Sequence, residues 1–387
     1  MKSGRAYSCV FIFLTFLFWL ASYPPVPIVS AFADAMGASA GMIGLIGGAY
    51  GLAMVIVRMP LGILSDRLGK RKIFIILGGA AALCAAAVVL LGPSPQTLLF
   101  SRALCGIQAS AWVPFTVLYA HAYPPEQSAR AMSVLTAVYT ASQLLSMLAG
   151  GFLSERFSYL APYALAAAGG VLFLALSPLM RDTPAQKAAP LKEAAPLAEA
   201  LTPRLLVLSF AGIVFFYVKY ATAYTFTPLI AQELGASDAA LGMLNTFYCL
   251  CGIPGSMFSY RLARRFGAGR LIAAALLILA VCSCFAVPFL PNLPLLYLSL
   301  GISGFFTFLL DALLAGLVIL GVEERRRSTA MGFYQAVYGL GILAGPVLSG
   351  RIIELAGRTP AYAAAGVLAV VCAAVILAAN RKEPIPC

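Results

Sequence analysis

Apolar runs of about 20 residues, each ended by a short charged or turn-forming stretch, recur along the whole chain. Twelve can be counted, over about 8–30, 42–64, 73–92, 96–121, 131–153, 160–180, 205–231, 240–261, 270–290, 293–321, 329–353 and 360–380. Their length matches the hydrocarbon thickness of a bilayer at the rise of an α-helix. Backbone groups in lipid must be hydrogen-bonded within the segment, so every run is expected to be helical. The expected fold is an all-α polytopic membrane protein with twelve transmembrane helices and the lipid bilayer as its solvent. Composition agrees, with 61% hydrophobic and only 10% charged residues, where a soluble domain carries about 25% charged.

The net charge of +12 raises the question of nucleic acid. The basic residues sit in short loops between apolar runs, with no basic face or aromatic-interleaved tract, so no nucleic-acid partner is expected. Their distribution instead sets a topology. With both termini in the cytoplasm, 20 of the 26 Lys and Arg residues fall on the cytoplasmic side. Arg156, Arg351 and Arg358 fall outside, and Arg58, Arg102 and Lys219 stay within the runs. The nine cysteines form no CxxC pair and mostly lie inside apolar runs, and there is one histidine. They read as small core residues, with neither a disulfide framework nor a metal site. Lys2 and Arg5 ahead of an apolar stretch resemble a signal peptide, but the many later runs favour a retained first helix.

Residues 181–204 break the pattern. The stretch is Ala-rich and charged, with Pro184, Pro190, Pro196 and Pro203, and reads as a cytoplasmic linker. It divides the chain into six runs over 1–180 and six over 205–387. The halves share traces of a repeat. Gly37-Ala38-Ser39 returns as Gly235-Ala236-Ser237, an offset of 198, and Ala131-Met132 with Ala137-Val138-Tyr139 returns as Ala330-Met331 with Ala336-Val337-Tyr338, an offset of 199. Repeated halves with a site between them are a transporter architecture.

Between the second and third runs lies Gly62-Ile63-Leu64-Ser65-Asp66-Arg67-Leu68-Gly69-Lys70-Arg71-Lys72, or G-x-x-x-D-R-x-G-x-R-K. This hairpin resembles the signature loop of the major facilitator superfamily. A second resemblance is Arg102-Ala103-Leu104-Cys105-Gly106 in the fourth run, similar to that family's Arg-x-x-x-Gly. The resemblance, closest to the drug and metabolite:proton antiporter branch, implies two pseudo-symmetric six-helix bundles, alternating access and a monomer. It implies that Gly62, Asp66, Arg67, Gly69, Arg71 and Lys72 lock a cytoplasmic gate when the outside is open. The plainer reading of the same charges is that they only fix orientation. In the second half only Arg261-x-x-Arg264-Arg265-Phe266-Gly267 remains, without the Asp.

The family's fold would place the first, fourth, seventh and tenth helices around a central cavity. Arg102, Lys219 and Asp311 lie on three of these, and charges inside a membrane need a partner or a water-filled cavity. Asp311 is the one carboxylate near mid-bilayer by residue count, and so the candidate proton carrier. Lys219 and Asp311 are read either as a cavity pair, acting directly or through substrate, or as a structural pair. Arg102 is read either as a buried coupling residue or as an arginine reaching the outer interface. Gln108, Trp112, Tyr23, Tyr220, Tyr224 and Tyr338 complete the candidate cavity, with a net positive charge that favours an anionic or zwitterionic small-molecule substrate. Pro24, Pro25, Pro27 and Pro228 are expected to interrupt the first and seventh helices. No bound cofactor is expected; the coupling ion implied is a proton.

The expected function is secondary active transport of a small organic solute in the inner cell membrane, with proton-coupled export of a drug or metabolite preferred. One departure weighs against export. The Gly-Pro pair that antiporters of the family carry in the fifth helix is absent from Ser146-Met147-Leu148-Ala149-Gly150-Gly151. The alternative is import or facilitated passage of an organic anion, peptide-like or sugar-like solute. A membrane enzyme lacks the clustered His, Asp or Ser chemistry it would need. A non-transporting receptor would be expected to carry a larger soluble domain.

Overall fold

The computed structural model describes residues 2–68, 70–120, 125–180, 201–322 and 324–382. These are almost wholly helical, and no strand occurs among the described residues. In chain order the helices are α1 Lys2–Leu20, α2 Val29–Ala35, α3 Ala40–Leu68, α4 Arg71–Leu91, α5 Pro95–Ser110, α6 Trp112–Ala120, α7 Pro125–Arg156, α8 Ala161–Leu176, α9 Pro203–Ala221, α10 Thr227–Glu233, α11 Asp238–Phe266, α12 Ala268–Leu279, α13 Leu293–Ile319, α14 Glu324–Ala356 and α15 Arg358–Lys382.

These helices make twelve spans, because proline divides several of the apolar runs. Pro24, Pro25 and Pro27 have no N–H to give, so α1 stops at Leu20 and a series of turns leads to α2. Pro114 leaves the Ser110 carbonyl without its helical donor, and the fourth span breaks at Ala111 into α5 and α6. Ahead of Pro228 the seventh span widens into a π-turn over Thr222–Phe226, between α9 and α10. Ahead of Pro288 the ninth does the same over Ala280–Phe285. Such π-turns absorb a lost hydrogen bond without ending the span. Among the described residues, nine of the spans are single stretches long and apolar enough to cross a bilayer. Large side chains such as Phe100 (54% exposed), Leu172 (50%) and Val371 (49%) line the outside, as a lipid-facing surface requires.

Side-chain caps set several helix starts. Ser94 and Thr97 form a capping box on α5, Thr202 accepts from the Leu205 N–H on α9, and Asn292 accepts from the Leu295 N–H on α13. The linker expected over 181–204 lies outside the described residues as far as residue 200, and α9 follows it directly.

Packing repeats between the halves. In the first, α3 packs on α5, α1 on α7 and α4 on α8; in the second, α11 packs on α13, α9 on α14 and α12 on α15. The halves join where α3 lies along α14 and α7 along α11. Arg71, Lys72, Arg204, Arg261, Arg264, Arg265, Arg270 and Arg381 gather toward one face of the molecule, called here the basic face. The opposite face carries the turns at Gly37, Gly235 and Gly357.

The seam between the halves is tight only toward the opposite face. A Cβ on Gly44 would strike the Pro346 carbonyl and come within 3.2 Å of the Gly350 Cα, and one on Gly151 would lie 2.8 Å from the Gly242 Cα. Only glycine allows backbones this close. Toward the basic face the same helices part. Among the described residues, a Cβ on Gly332 of α14 would meet nothing within 4 Å, and one on Gly62 of α3 only Val113 of its own half, at 3.9 Å. The molecule is therefore closed at the opposite face and spread at the basic face.

Candidate functional site

Between the halves, midway along the spans, lies a cavity of about 50 Å³. The first span contributes Trp19, Ser22, Tyr23 and Val26, while α3 gives Tyr50 and α5 gives Arg102 and Cys105. Tyr139 and Gln143 come from α7, and Lys219, Tyr220 and Tyr224 from the seventh span. The walls are mostly ring faces with a few polar groups, the usual build of a site for organic ligands.

Two cations stand in this wall. The Arg102 guanidinium lies 4.9 Å from the centroid of the Tyr50 ring. Its Nε is buried without a hydrogen-bond partner, and among the described residues it has no ion pair. The Lys219 ammonium is ringed by Phe215, Phe216, Tyr220, Tyr224 and Phe308, all with centroids within 5.9 Å. Ring faces stabilise a cation that has lost its water. One carboxylate reaches it: Asp311 on α13, 4.0 Å away, with its side chain 44% exposed against 11% for Lys219. A charge inside a membrane span needs such a partner.

Hydroxyls and rings order the remaining wall. The Tyr23 and Tyr139 hydroxyls are 2.9 Å apart, and Trp19 packs edge-on against Tyr139 at 4.8 Å and tilted against Tyr23 at 5.4 Å. Gln143 donates across the halves to the Tyr224 hydroxyl at 3.3 Å. Tyr50 and Tyr220, also from different halves, face each other with centroids 6.1 Å apart and planes at 16°.

Of the residues singled out in the sequence, Tyr23, Arg102, Lys219, Tyr220 and Tyr224 meet at the cavity, with Asp311 against Lys219. Three expected there stand elsewhere. Gln108 sits about 120° round the helix from Arg102, is fully buried, and donates to the Phe18 carbonyl; it ties α5 to α1. Trp112 is one layer back, edge-on to Trp19 at 5.2 Å and stacked on Phe115 at 5.3 Å. Tyr338 stacks on Phe216 at 4.1 Å and accepts from Arg58 at 3.3 Å. In the hairpin, Gly69 and the side chains of Asp66 and Arg67 lie outside the described residues. Gly62 is in α3, Arg71 opens α4 with its side chain buried, and Lys72 donates to the Pro178 carbonyl at 2.9 Å. Sequence reading passed over Trp19, Tyr50 and Cys105. Helical spacing carried a signal for two of them, since Cys105 follows Arg102 by three residues and Trp19 precedes Tyr23 by four. Nothing in the residues beside Tyr50 in sequence marks it.

A twelve-span, two-half helical fold with a charged central cavity is shared by many carriers, and comparison with known proteins narrows it. The sequence model of the Major Facilitator Superfamily matches residues 11–229 and again residues 208–386. The chain belongs to the major facilitator superfamily. It is accordingly a multi-pass membrane transporter and not an enzyme. Its relatives include the inner membrane transport protein YajR of Escherichia coli K12, 24% identical over 94% of this chain and 81% of that protein. The quinolone resistance protein NorA of Staphylococcus aureus MRSA252 is 27% identical over 45% of each chain. Among solved superfamily structures, a bacterial homologue of the human lysosomal transporter Spinster superposes with a TM-score of 0.78 at 18% identity, covering 98% of this chain and 97% of that one. That likeness fixes the fold.

Proposed function

We propose that this protein is a proton-coupled exporter of small organic solutes with a zwitterionic or anionic head. The observation that carries the reading is the cavity's charge set: Arg102 without a carboxylate among the described residues, and Lys219 with Asp311 at 4.0 Å. The excess of Lys and Arg at the basic face supports a cytoplasmic position for it and for both termini, so the cavity described above opens inward. The partial similarity to NorA supports efflux.

Charge balance distinguishes the two directions of coupling. A solute carboxylate would pair with Arg102, and a solute ammonium would pair with Asp311 in place of a proton. Binding of a zwitterion therefore expels a proton, and by reciprocity the proton expels the solute, which is antiport. A solute that is only an anion would instead pair with Lys219 as well and leave Asp311 protonated, so proton and anion would travel together. That is the second reading, import or facilitated passage of an organic anion, and the missing Gly-Pro pair in α7 favours it. In the antiport cycle the basic face closes once the solute has bound and the proton has left, and Asp66, Arg67, Arg71 and Lys72 at the hairpin hold it shut while the opposite face opens to release the solute.

The test is reconstitution in liposomes with a trapped pH dye, adding zwitterionic, anionic and cationic solutes in turn. Proton movement opposite to the solute is expected for zwitterions, and is expected to vanish in Asp311→Asn. Proton movement with an anion would establish the second reading. Solute flux that moves no protons would overturn proton coupling.

A further inference from the structure

The opposite face is closed by more than close glycine packing. Each half ends one of its seam helices with a glutamate, and each glutamate reaches the first turn of a seam helix in the other half. Glu155, at the end of α7, accepts from the Ala239 N–H at 2.8 Å and bonds the Ser237 side chain, at the start of α11. Glu354, near the end of α14, bonds the Gly41 N–H and the Ser39 side chain, at the start of α3. Glu155 and Glu354 are offset by 199 residues, and Ser39 and Ser237 by 198. The entry turns also match, with Gly37 at φ 76° and Gly235 at φ 87°. Both are left-handed conformations suited to glycine.

We infer that Glu155 and Glu354 are reciprocal latches that hold the opposite face shut in the basic-face-open state. The first helical N–H groups have no partner within their own helix and carry the positive end of the helix dipole. In each first turn a serine side chain already accepts one N–H, Ser39 from Met42 and Ser237 from Ala240, both at 3.3 Å. The glutamate from the other half satisfies another. When the halves part at this face, both glutamates lose these donors together. The latch is therefore made in one state only, whichever solute is carried. Two side contacts distinguish the copies. Ser154 donates to Asp238 at 2.6 Å beside the first, and Arg351 braces Glu354 at 2.9 Å in the second.

Hydrogen–deuterium exchange on the full chain in lipid nanodiscs tests this. In the Glu155→Ala/Glu354→Ala double variant, exchange should rise about tenfold, the scale of losing a helix cap, over 39–48, 237–245 and 343–350. Exchange over 59–65 and 330–338 should fall as the basic face closes. A rise confined to the first turns, 39–42 and 237–240, would make the glutamates local caps and overturn the latch. If the alanine variant fails to fold, Glu155→Gln/Glu354→Gln keeps the size and an acceptor but removes the charge. A smaller rise over the same three segments is then expected, and an unchanged exchange pattern would overturn the inference.

Discussion

The two ends of the α3–α14 seam are made from similar residues and behave differently. Both ends carry glycines on α14, yet Gly350 lies against Gly44 while a Cβ on Gly332 would meet nothing within 4 Å among the described residues. At the opposite face, Gly41, Gly44, Gly48 and Gly51 recur every three or four residues of α3, a continuous thin face on one side of the helix. Toward the basic face Val55 and Gly62 continue the same side of the helix, and among the described residues Gly62 meets only Val113 of its own half. A thin face allows two backbones to close over many atoms, and at the other end the same two faces stand apart. One helix pair thus acts as a hinge line with a cavity at its middle, where Tyr50 reaches the charged wall.

The difference can be broken at its tight end. Gly44→Leu places a side chain where the Pro346 carbonyl stands, and backbone cannot yield as a side chain can. Overpacking of this kind costs about 3 kcal/mol, so the closed-opposite-face state should lose roughly a hundredfold in population, with transport lost in reconstituted vesicles. Gly332→Leu, in open space at the other end, should leave thermal stability within about 0.5 kcal/mol of the parent. Equal losses of stability in the two variants would contradict the described asymmetry. A smaller effect is expected from Tyr338→Phe. It removes the acceptor for Arg58, a hydrogen bond that runs from α3 to α14 at 3.3 Å. Thermal unfolding should report a loss of about 1 kcal/mol, while the ring that remains would keep its stack on Phe216.

The span count was legible because lipid leaves a chain few options: run length and internal hydrogen bonding decide it almost alone. The prolines at 24, 25, 27 and 228 likewise act through a missing N–H, which needs no tertiary context. Side-chain placement around the cavity was less legible. Arg102, Lys219 and Asp311 could be picked out because charge inside a span is costly, but tyrosines, tryptophans and glutamines are cheap at several depths. Gln108 illustrates this, since its amide is satisfied by the Phe18 carbonyl and had no need of a cavity. Nor could residue spacing tell Tyr338, behind the wall, from Tyr50, within it. Those placements depend on how two halves tilt against each other, and that tilt is set by contacts hundreds of residues apart in sequence. The glutamate pair at 155 and 354 was hidden for a related reason: each looks like an ordinary charged helix end until the other half is placed beside it.

The smallest expected effect separates the two copies of the closed seam. Ser154 is buried and donates to Asp238 at 2.6 Å, joining α7 to α11; at the α3–α14 copy the residue at the same offset is Ile353, which has no hydroxyl to donate. Ser154→Ala should therefore weaken one copy and leave the other intact. A hydroxyl bond to a carboxylate at a partly wet rim contributes about 1 kcal/mol. Asp238 can recover part of that by turning toward water. The variant should keep its fold and raise amide exchange severalfold at 237–245, with 39–48 unchanged. Were both segments to respond equally, the seam would open as one cooperative unit, and the sequence difference between its two copies would be without mechanical consequence.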